Sequence, residues 1–425
     1  MPAHPELLAQ NAQFEKKLHK LSDRVHVAVG YAASNVGFLV GDSGVVVIDT
    51  TETTQAATNV LADFRAVCDL PVTTIIYTHS HRDHISGASV FAEGRDVQIY
   101  AADNFSSDLV KVDDARPAPN AALMARTKRQ FGISLPGDER VSLGVGPGDR
   151  PMQGMGAGFM PPTIRVAETI TVTLEGFELE LARAPGETPD HLVAWLARDR
   201  ILFSGDNFYH AFPNLYAIRG TPYRDFDAWA ATMDQLMAYR PEILVPGHTL
   251  PVIGADAIRD ALTGYRDAIR HVVSETVTGM NAGLDPVTIA AGLRLPADLA
   301  DKPYLKEFYG HIGFAAQAYY AGTLGWFDGN PTNLGRLPPA EEAQRFVALA
   351  GGAEAVAQAA RSALAKDPQW AMELADRLIA VGQDAAGREI KITAMRDLAD
   401  ATINAPMRNY YLLSARELES VGGDG

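Results

Sequence analysis

Between residues 25 and 49 the chain runs through three short apolar stretches. "VHVAV" alternates, "NVGFLVG" is a brief apolar run, and "GVVVID" has the continuous apolar character of a buried strand ending at Asp49. Residues 54–67 change to helical spacing, with Ala57, Val60, Leu61, Phe64 and Val67 on one face. "VTTIIY" (72–77) returns to the strand pattern. This strand–helix–strand unit is followed by further predicted strands in "TIRVAETITVTLEGFELELARA", "HLVAWL" and "RILFSGD". A predicted helix, "DFDAWAATMDQLMAYR", then leads into a last apolar strand, "EILVPGH". Every strand lies before about residue 255.

Beyond that point the pattern is helical only. "AEAVAQAARSALAKD", "PQWAMELADRLIAVG" and "GREIKITAMRDLADATI" are Ala-rich and amphipathic, separated by Gly or Pro. They have the look of tetratricopeptide pairs but keep no strict period, so a helical packing or dimerisation module is expected. Within the strand-bearing half, residues 111–163 are rich in Gly, Pro and Met and read as a long insertion loop over the site.

Composition excludes several classes. The 425 residues carry a net charge of −15, so a nucleic-acid partner, which needs a basic face, is not expected. The single cysteine, Cys68, rules out a disulfide framework and a cysteine-rich zinc site. No apolar run is long enough for a membrane span, and the N-terminus lacks the layout of a signal peptide. A soluble, cytoplasmic protein is expected, the alternative being a secretion signal already removed.

The candidate chemistry sits in "THSHRDH" (78–84), directly after a predicted buried strand. His79 and His81 share one side of the chain as it leaves the strand, and Asp83 and His84 turn the other way. Each pair can grip one divalent ion, because neutral imidazole and carboxylate are zinc-type ligands. Three later strand ends supply more: Glu187 in "APGETPDH", four residues before His191, then Asp206 in "LFSGD" and His248 in "LVPGH". In α/β folds the C-terminal ends of strands are where sites are built.

These motifs resemble the metallo-β-lactamase superfamily over residues 20–255. The resemblance implies an α/β fold, a four-layer αβ/βα sandwich, in a catalytic domain of residues 1–265. A glutamate at position 187, where most of that superfamily has histidine, resembles the alkylsulfatase branch. So do "MPPTI" (160–164), "NLYAIRG" (214–220), "GWFDGNP" (325–331) and "LPPAEEAQRFVALAGGAEAV". The last two resemble its all-α dimerisation domain, expected over residues 266–425, and a homodimer is implied. Within these 425 residues no counterpart of the sterol-carrier-like domain of long family members is expected.

Carried over, the resemblance implies two zinc ions, with manganese or iron as alternatives. His79, His81 and Glu187 would hold one and Asp83, His84 and His248 the other. Asp206 would bridge, and Asp49 would accept a ring N–H from a ligand histidine. The implied reaction is hydrolysis of an amphiphilic alkyl sulfate ester, with Arg219 binding sulfate. Two dications against three carboxylates and a shared hydroxide leave the centre near neutral, one unit less positive than with histidine at 187. An anionic substrate therefore needs an added cation, which Arg219 supplies. Met152, Met155, Phe159 and Met160 would suit an alkyl chain, or pack the loop onto its own domain.

Three positions depart from the family pattern. "DNFYHAFPN" stands for the family's "ENxTHTLHN": Asp206 replaces glutamate, His210 keeps the first histidine, and Pro213 replaces the second. "FYGHIGFAAQAYY" stands for "YYGxLSHNxxAVY", with Tyr320 kept and Phe314 in place of histidine. His210, His311 and Tyr320 are the candidates to compensate. The alternatives are a metallo-hydrolase of another ester, lactone or phosphoester, and a non-catalytic metal-binding scaffold.

Overall fold

The computed structural model describes residues 3–107, 109 and 119–422. Two sheets stack face to face. The first is ordered as in the chain: β1 (Lys17–Lys20), β2 (Val25–Val29), β3 (Val36–Val40), β4 (Val45–Ile48), β5 (Val72–Ile76), β6 (Gln98–Ala102) and β7 (Ile164–Val166). It is antiparallel as far as β4 and parallel from β4 to β7. The second sheet comprises β8 (Thr169–Leu174), β9 (Phe177–Arg183), β10 (Leu192–Leu196), β11 (Ile201–Gly205), β12 (Ile243–Pro246) and β13 (Val252–Ile253). Only β11 and β12 pair parallel there, with the helix Phe226–Ala238 between them in the chain.

The burial pattern of β4 explains the layering. Val45 and Val47 pack outward with Phe38, Val60 and Phe64 against the helix Thr54–Arg65. Val46 and Ile48 point the other way, into the space shared with Leu181, Phe203 and Val245 of the second sheet. Both faces of the strand are buried, which is why "GVVVID" is apolar without alternation. On the far side of the second sheet, Ala182, Val193, Leu202 and Leu244 meet Trp229 and Met233 of the helix Phe226–Ala238. The result is the expected four-layer α/β arrangement, followed by an all-helical region.

The helix Ala255–Asn281 runs unbroken across the division expected at 265/266, and its Ile258, Leu262, Tyr265 and Ile269 join the core beneath the second sheet. That core continues into the helix Ile312–Leu324, through Ile312, Ala316 and Tyr320. The helices Ala353–Ala363, Pro368–Ala380, Asp384–Ala401 and Ala405–Gly422 follow, each packed on the next. Val356, Leu374, Leu378 and Ile390 give the first three a separate core.

The stretch expected as loop over 111–163 contains the helix Asn120–Gln130. Of its side chains only Gln130 is buried, so no apolar stripe marked it in the sequence. Part of the stretch, residues 110–118, lies outside the described residues. The rest is pinned down: Arg150 Nε donates to Glu52 Oε1 at 2.6 Å within the interior, and Ser89 N–H donates to the Gly158 carbonyl. Phe159 and Met160 pack on the first sheet's outer core, with Phe159 stacked on Tyr77 at 6.4 Å. Of the two roles expected for these side chains, packing onto their own domain is the one observed for this pair.

Val67 lies beyond the end of the helix Thr54–Arg65 and is 52 % exposed, while Phe64 stacks on Phe38 with ring centroids 3.9 Å apart. Phe64→Ala is therefore expected to lower unfolding stability by about 3–5 kcal/mol. Val67→Ala should change it by no more than ~0.5 kcal/mol, both measured by urea denaturation. Equal effects would contradict the assigned packing.

Candidate metal centre

The centre forms where strand ends of the two sheets face each other. After β5 the chain bends through residues 78–80, which places His79, is extended at His81, and then makes one helical turn, Arg82–Ile85, that carries Asp83 and His84. Asp206 follows β11, and His248 follows β12. Two groups of donor atoms result, His79, His81 and Asp206 in one and Asp83, His84 and His248 in the other, each with its atoms within 4.8 Å of one another. Asp206 Oδ2 lies between them, 3.1 Å from His248 Nε2, 3.3 Å from His84 Nε2 and 3.6 Å from His79 Nε2. Asp83 Oδ2 lies 3.4 Å from His248 Nε2 and 3.5 Å from His84 Nε2.

Hydrogen bonds behind the rings fix which nitrogen faces inward. Asp49 is central. Its Oδ2 accepts from His84 Nδ1 at 2.8 Å and from the Thr78 hydroxyl at 2.8 Å, and its Oδ1 accepts from Thr78 N–H. Because the Thr78 proton goes to Asp49, its oxygen accepts from His79 Nδ1 at 3.0 Å. His248 Nδ1 donates to the Ala33 carbonyl at 2.6 Å. Three imidazoles thus aim Nε2 at the centre, the nitrogen that would be free for a metal once the ring is neutral. Asp49 and Thr249 hold left-handed backbone, at φ 60° and 68°, a strain that concentrates at functional sites.

The donor set fits divalent cations. His84 Nε2 and Asp206 Oδ1 are buried without a hydrogen-bond partner among the described residues, a costly condition for polar atoms that ligand bonds would relieve. Four imidazole nitrogens and carboxylate oxygens, without thiolate, are ligands for zinc and similar ions. Charge points the same way. Burial alone would push His248 down, but Asp206 and Asp83 override it and raise its pKa to about 10. His84 is likewise raised against its burial by Asp206, Asp83 and Asp49. Burial would raise Asp206, and His248 and His84 instead hold it well below the carboxylate range. Asp49, Asp83 and Asp206 thus draw positive charge to the side of the centre that holds His84 and His248.

Glu187 stands at the edge of this cluster, with Oε1 3.8 Å from His81 Nδ1. Both its oxygens are engaged from behind. Arg224 Nη1 lies 3.0 Å from Oε1, and the Tyr209 hydroxyl, which accepts from Asn214 N–H, donates to Oε2 at 3.2 Å. Burial raises the Glu187 pKa to about 7 even though Arg224 opposes it. Its neighbour His191 stacks on His79 at 4.0 Å and accepts from Asp206 N–H at Nε2, so that ring props two of the cluster's residues.

The remaining sequence candidates divide. Arg219 is half-buried, its N–H tied to Gln130 Oε1 of the insertion helix, and its charge helps depress His81 behind the larger effect of burial. His210 lies edge-on to Phe208, with its backbone N–H on Thr249 Oγ1. Tyr320 is buried in the apolar core, and His311 caps the helix Ile312–Leu324 with its ring against Phe314. Residues that sequence reasoning passed over include Thr78, Tyr209, Arg224 and Tyr309. Burial and the nearby Glu187 and Asp83 raise the Tyr309 pKa, so it keeps its proton. It arrives on the segment 306–310, which pairs through its backbone with Phe212. Tyr209 and Tyr309 sit inside motifs already quoted, but nothing in their spacing tells a buried phenol at a charged centre from a core aromatic.

Residues 29–248 match the metallo-β-lactamase superfamily, and residues 285–421 match the alkyl sulfatase dimerisation family. A linear primary-alkylsulfatase of Pseudomonas sp. is 36 % identical over 385 residues, which cover 88 % of this chain and 72 % of that one. An (R)-specific secondary-alkylsulfatase of Pseudomonas sp. is 31 % identical over 94 % of this chain, and an alkyl/aryl-sulfatase of Saccharomyces cerevisiae is 30 % identical over 94 %. This chain spans 62 % and 64 % of those two relatives' lengths. The solved structure of a stereoselective inverting sec-alkylsulfatase from Pseudomonas sp. superposes with a TM-score of 0.88 at 28 % identity, covering 98 % of this chain and 68 % of that one. The chain belongs to the metallo-β-lactamase superfamily and, within it, to the alkylsulfatase family.

Two measurements check the geometry. A Cβ on Gly247 would fall 2.2 Å from Asp206 Oδ1, so Gly247→Ala should displace Asp206 and cost at least half the bound metal by elemental analysis while the fold persists by circular dichroism. Zinc added to metal-free protein at pH 7.5 should release protons. His84 and His248 hold theirs there, and ligation requires the neutral ring. A calorimetric heat independent of buffer ionisation enthalpy would contradict this.

Proposed function

We propose that this chain hydrolyses alkyl sulfate esters to alcohol and sulfate at a two-cation centre held by His79, His81, Glu187, Asp83, His84 and His248, with Asp206 shared. The observation that carries the reading is that Asp206, a member of one donor triad, also lies 3.1 Å from His248 of the other, in a chain of the alkylsulfatase family. Two divalent cations, with zinc the best match to these donors, would bring the pKa of a shared water toward 7 and offset charge on an anionic ester. The chain's own groups do the rest. Asp49 and Thr78 lock the ring tautomers, Arg224 and Tyr209 hold Glu187, and the buried walls exclude bulk water. Arg219 offers a guanidinium fork suited to sulfate oxygens. Tyr309, kept protonated, is a hydrogen-bond donor to the same anion and takes over where Pro213 and Phe314 replace family histidines. The helical region from 285 onward supports a homodimer as the assembled form.

A second reading, attack on a neutral carboxylic ester or lactone, draws on those same two replacements, which remove polar groups. Substrate selectivity separates the readings. Octyl sulfate should be turned over, chelation should abolish turnover, and Arg219→Ala should reduce kcat/KM by about 10²-fold, the scale of a charge-assisted hydrogen bond to an anion. Lactone turnover that survives Arg219→Ala would favour the second. His81→Ala should lose metal and lower kcat by orders of magnitude, with the helical region still folded. Full metal stoichiometry in that variant would contradict the ligand assignment.

A further inference from the structure

Glu187 adds a negative charge where most of the superfamily has a neutral ring, in a site proposed above to accept an anion. Directly behind it is Arg224, only 4 % exposed, with Nη1 3.0 Å from Glu187 Oε1. The same nitrogen donates to the Asn214 carbonyl. The guanidinium is thus anchored to the loop that follows Asp206 while it faces the carboxylate. Both partners of the pair are 3 % exposed at their side chains, so water screens little of the interaction. Tyr209 occupies the other Glu187 oxygen and settles the plane of the carboxylate. No other arginine or lysine forms an ion pair with Glu187 among the described residues.

We propose that Arg224 is a charge-compensating, positioning residue: its buried pairing with Glu187 returns the unit of positive charge that the glutamate removes, and so keeps the centre receptive to a monoanionic sulfate ester. This rests on the reading of the centre as a two-cation hydrolase. Arg219, less buried and free of any carboxylate partner among the described residues, meets the substrate. Arg224 is occupied by Glu187 and acts through it. The pair adjoins the cluster, since Glu187 Oε1, the atom that faces Arg224, lies 3.8 Å from His81 Nδ1. A histidine at 187 would need no such partner. An arginine at 224 beside that histidine would leave a buried cation unpaired, which is costly. The identities of the two positions are therefore linked, and the pair as a unit is electrostatically equivalent to one neutral ligand.

The test uses the metal-loaded full chain and three readouts: bound metal by elemental analysis, resistance of that metal to a chelator, and the Kd for inorganic sulfate by calorimetry. KM for octyl sulfate accompanies them. Arg224→Met should keep two metals and release them more slowly to chelator, because Glu187 no longer shares Oε1 with a guanidinium. It should weaken sulfate binding and raise KM by about tenfold or more, the scale of one unscreened charge several ångströms away. The double variant Glu187→His/Arg224→Met removes both members of the pair and leaves no buried charge unmatched, so it should fold even where Arg224→Met does not. It is expected to bring sulfate affinity to within about threefold of the parent chain. Failure of the double variant to recover sulfate affinity would mean that Arg224 touches the anion itself, and would overturn the proposal. Unchanged or faster metal loss in Arg224→Met would overturn it as well. A parent chain that binds two metals and turns over no alkyl sulfate would instead count against the sulfatase reading, while the chelator readout still decides the role of Arg224.

Discussion

The carboxylate of Asp206 is the point on which the rest of the centre turns. Its Oδ2 meets imidazole nitrogens from both donor groups, and each group combines residues that follow strands of both sheets. Bringing β5 and β11 end to end across the sandwich requires the apolar layer between the sheets, with Ile76, Phe203 and Val245 among its members. Hydrophobic burial thus sets the spacing on which the polar chemistry depends. The local cost is paid in strained backbone at Asp49 and Thr249 and in a glycine at 247, where a methyl group would strike Asp206.

Around that point the candidate ligands are held from behind. Asp49 reaches His84 directly and His79 through Thr78, the Ala33 carbonyl holds His248, and His191 braces both His79 and the backbone of Asp206. None of these supports would contact a substrate. They set which ring nitrogen faces inward and where it points, and so determine whether the seven candidate ligands act as one site. The helical region contributes as well: its core merges with the layer beneath the second sheet, and its segment 306–310 carries Tyr309 to the charged cluster.

Much of this was legible from residue order alone. The apolar runs ending in Asp49, "THSHRDH", Asp206 and His248 fall on β4, β5, β11 and β12, because a strand buried on both faces has a short continuous signature and its polar terminus stands out. Asp49 accepts from a ring nitrogen of His84, one of the candidate ligands. The helix Asn120–Gln130 was illegible because its exposed faces carry no apolar period. The inward packing of Phe159 and Met160 depends on Tyr77 and Phe105, which lie far away in sequence. Arg224 was hidden for a related reason. An arginine five residues past Arg219 looks like a surface cation until the fold places Glu187 against it, and local pattern carries no information about that meeting.

The central claim is that seven side chains following strands of both sheets surround two divalent cations with Asp206 between them. Anomalous diffraction from crystals of the zinc-loaded protein, collected at the zinc edge, tests it most directly. The account requires two peaks roughly 3.5–4 Å apart, the usual spacing of paired catalytic metals. One should be bounded by His79, His81 and Glu187, the other by Asp83, His84 and His248, with Asp206 touching both. A single peak, or density remote from Asp206, would contradict it.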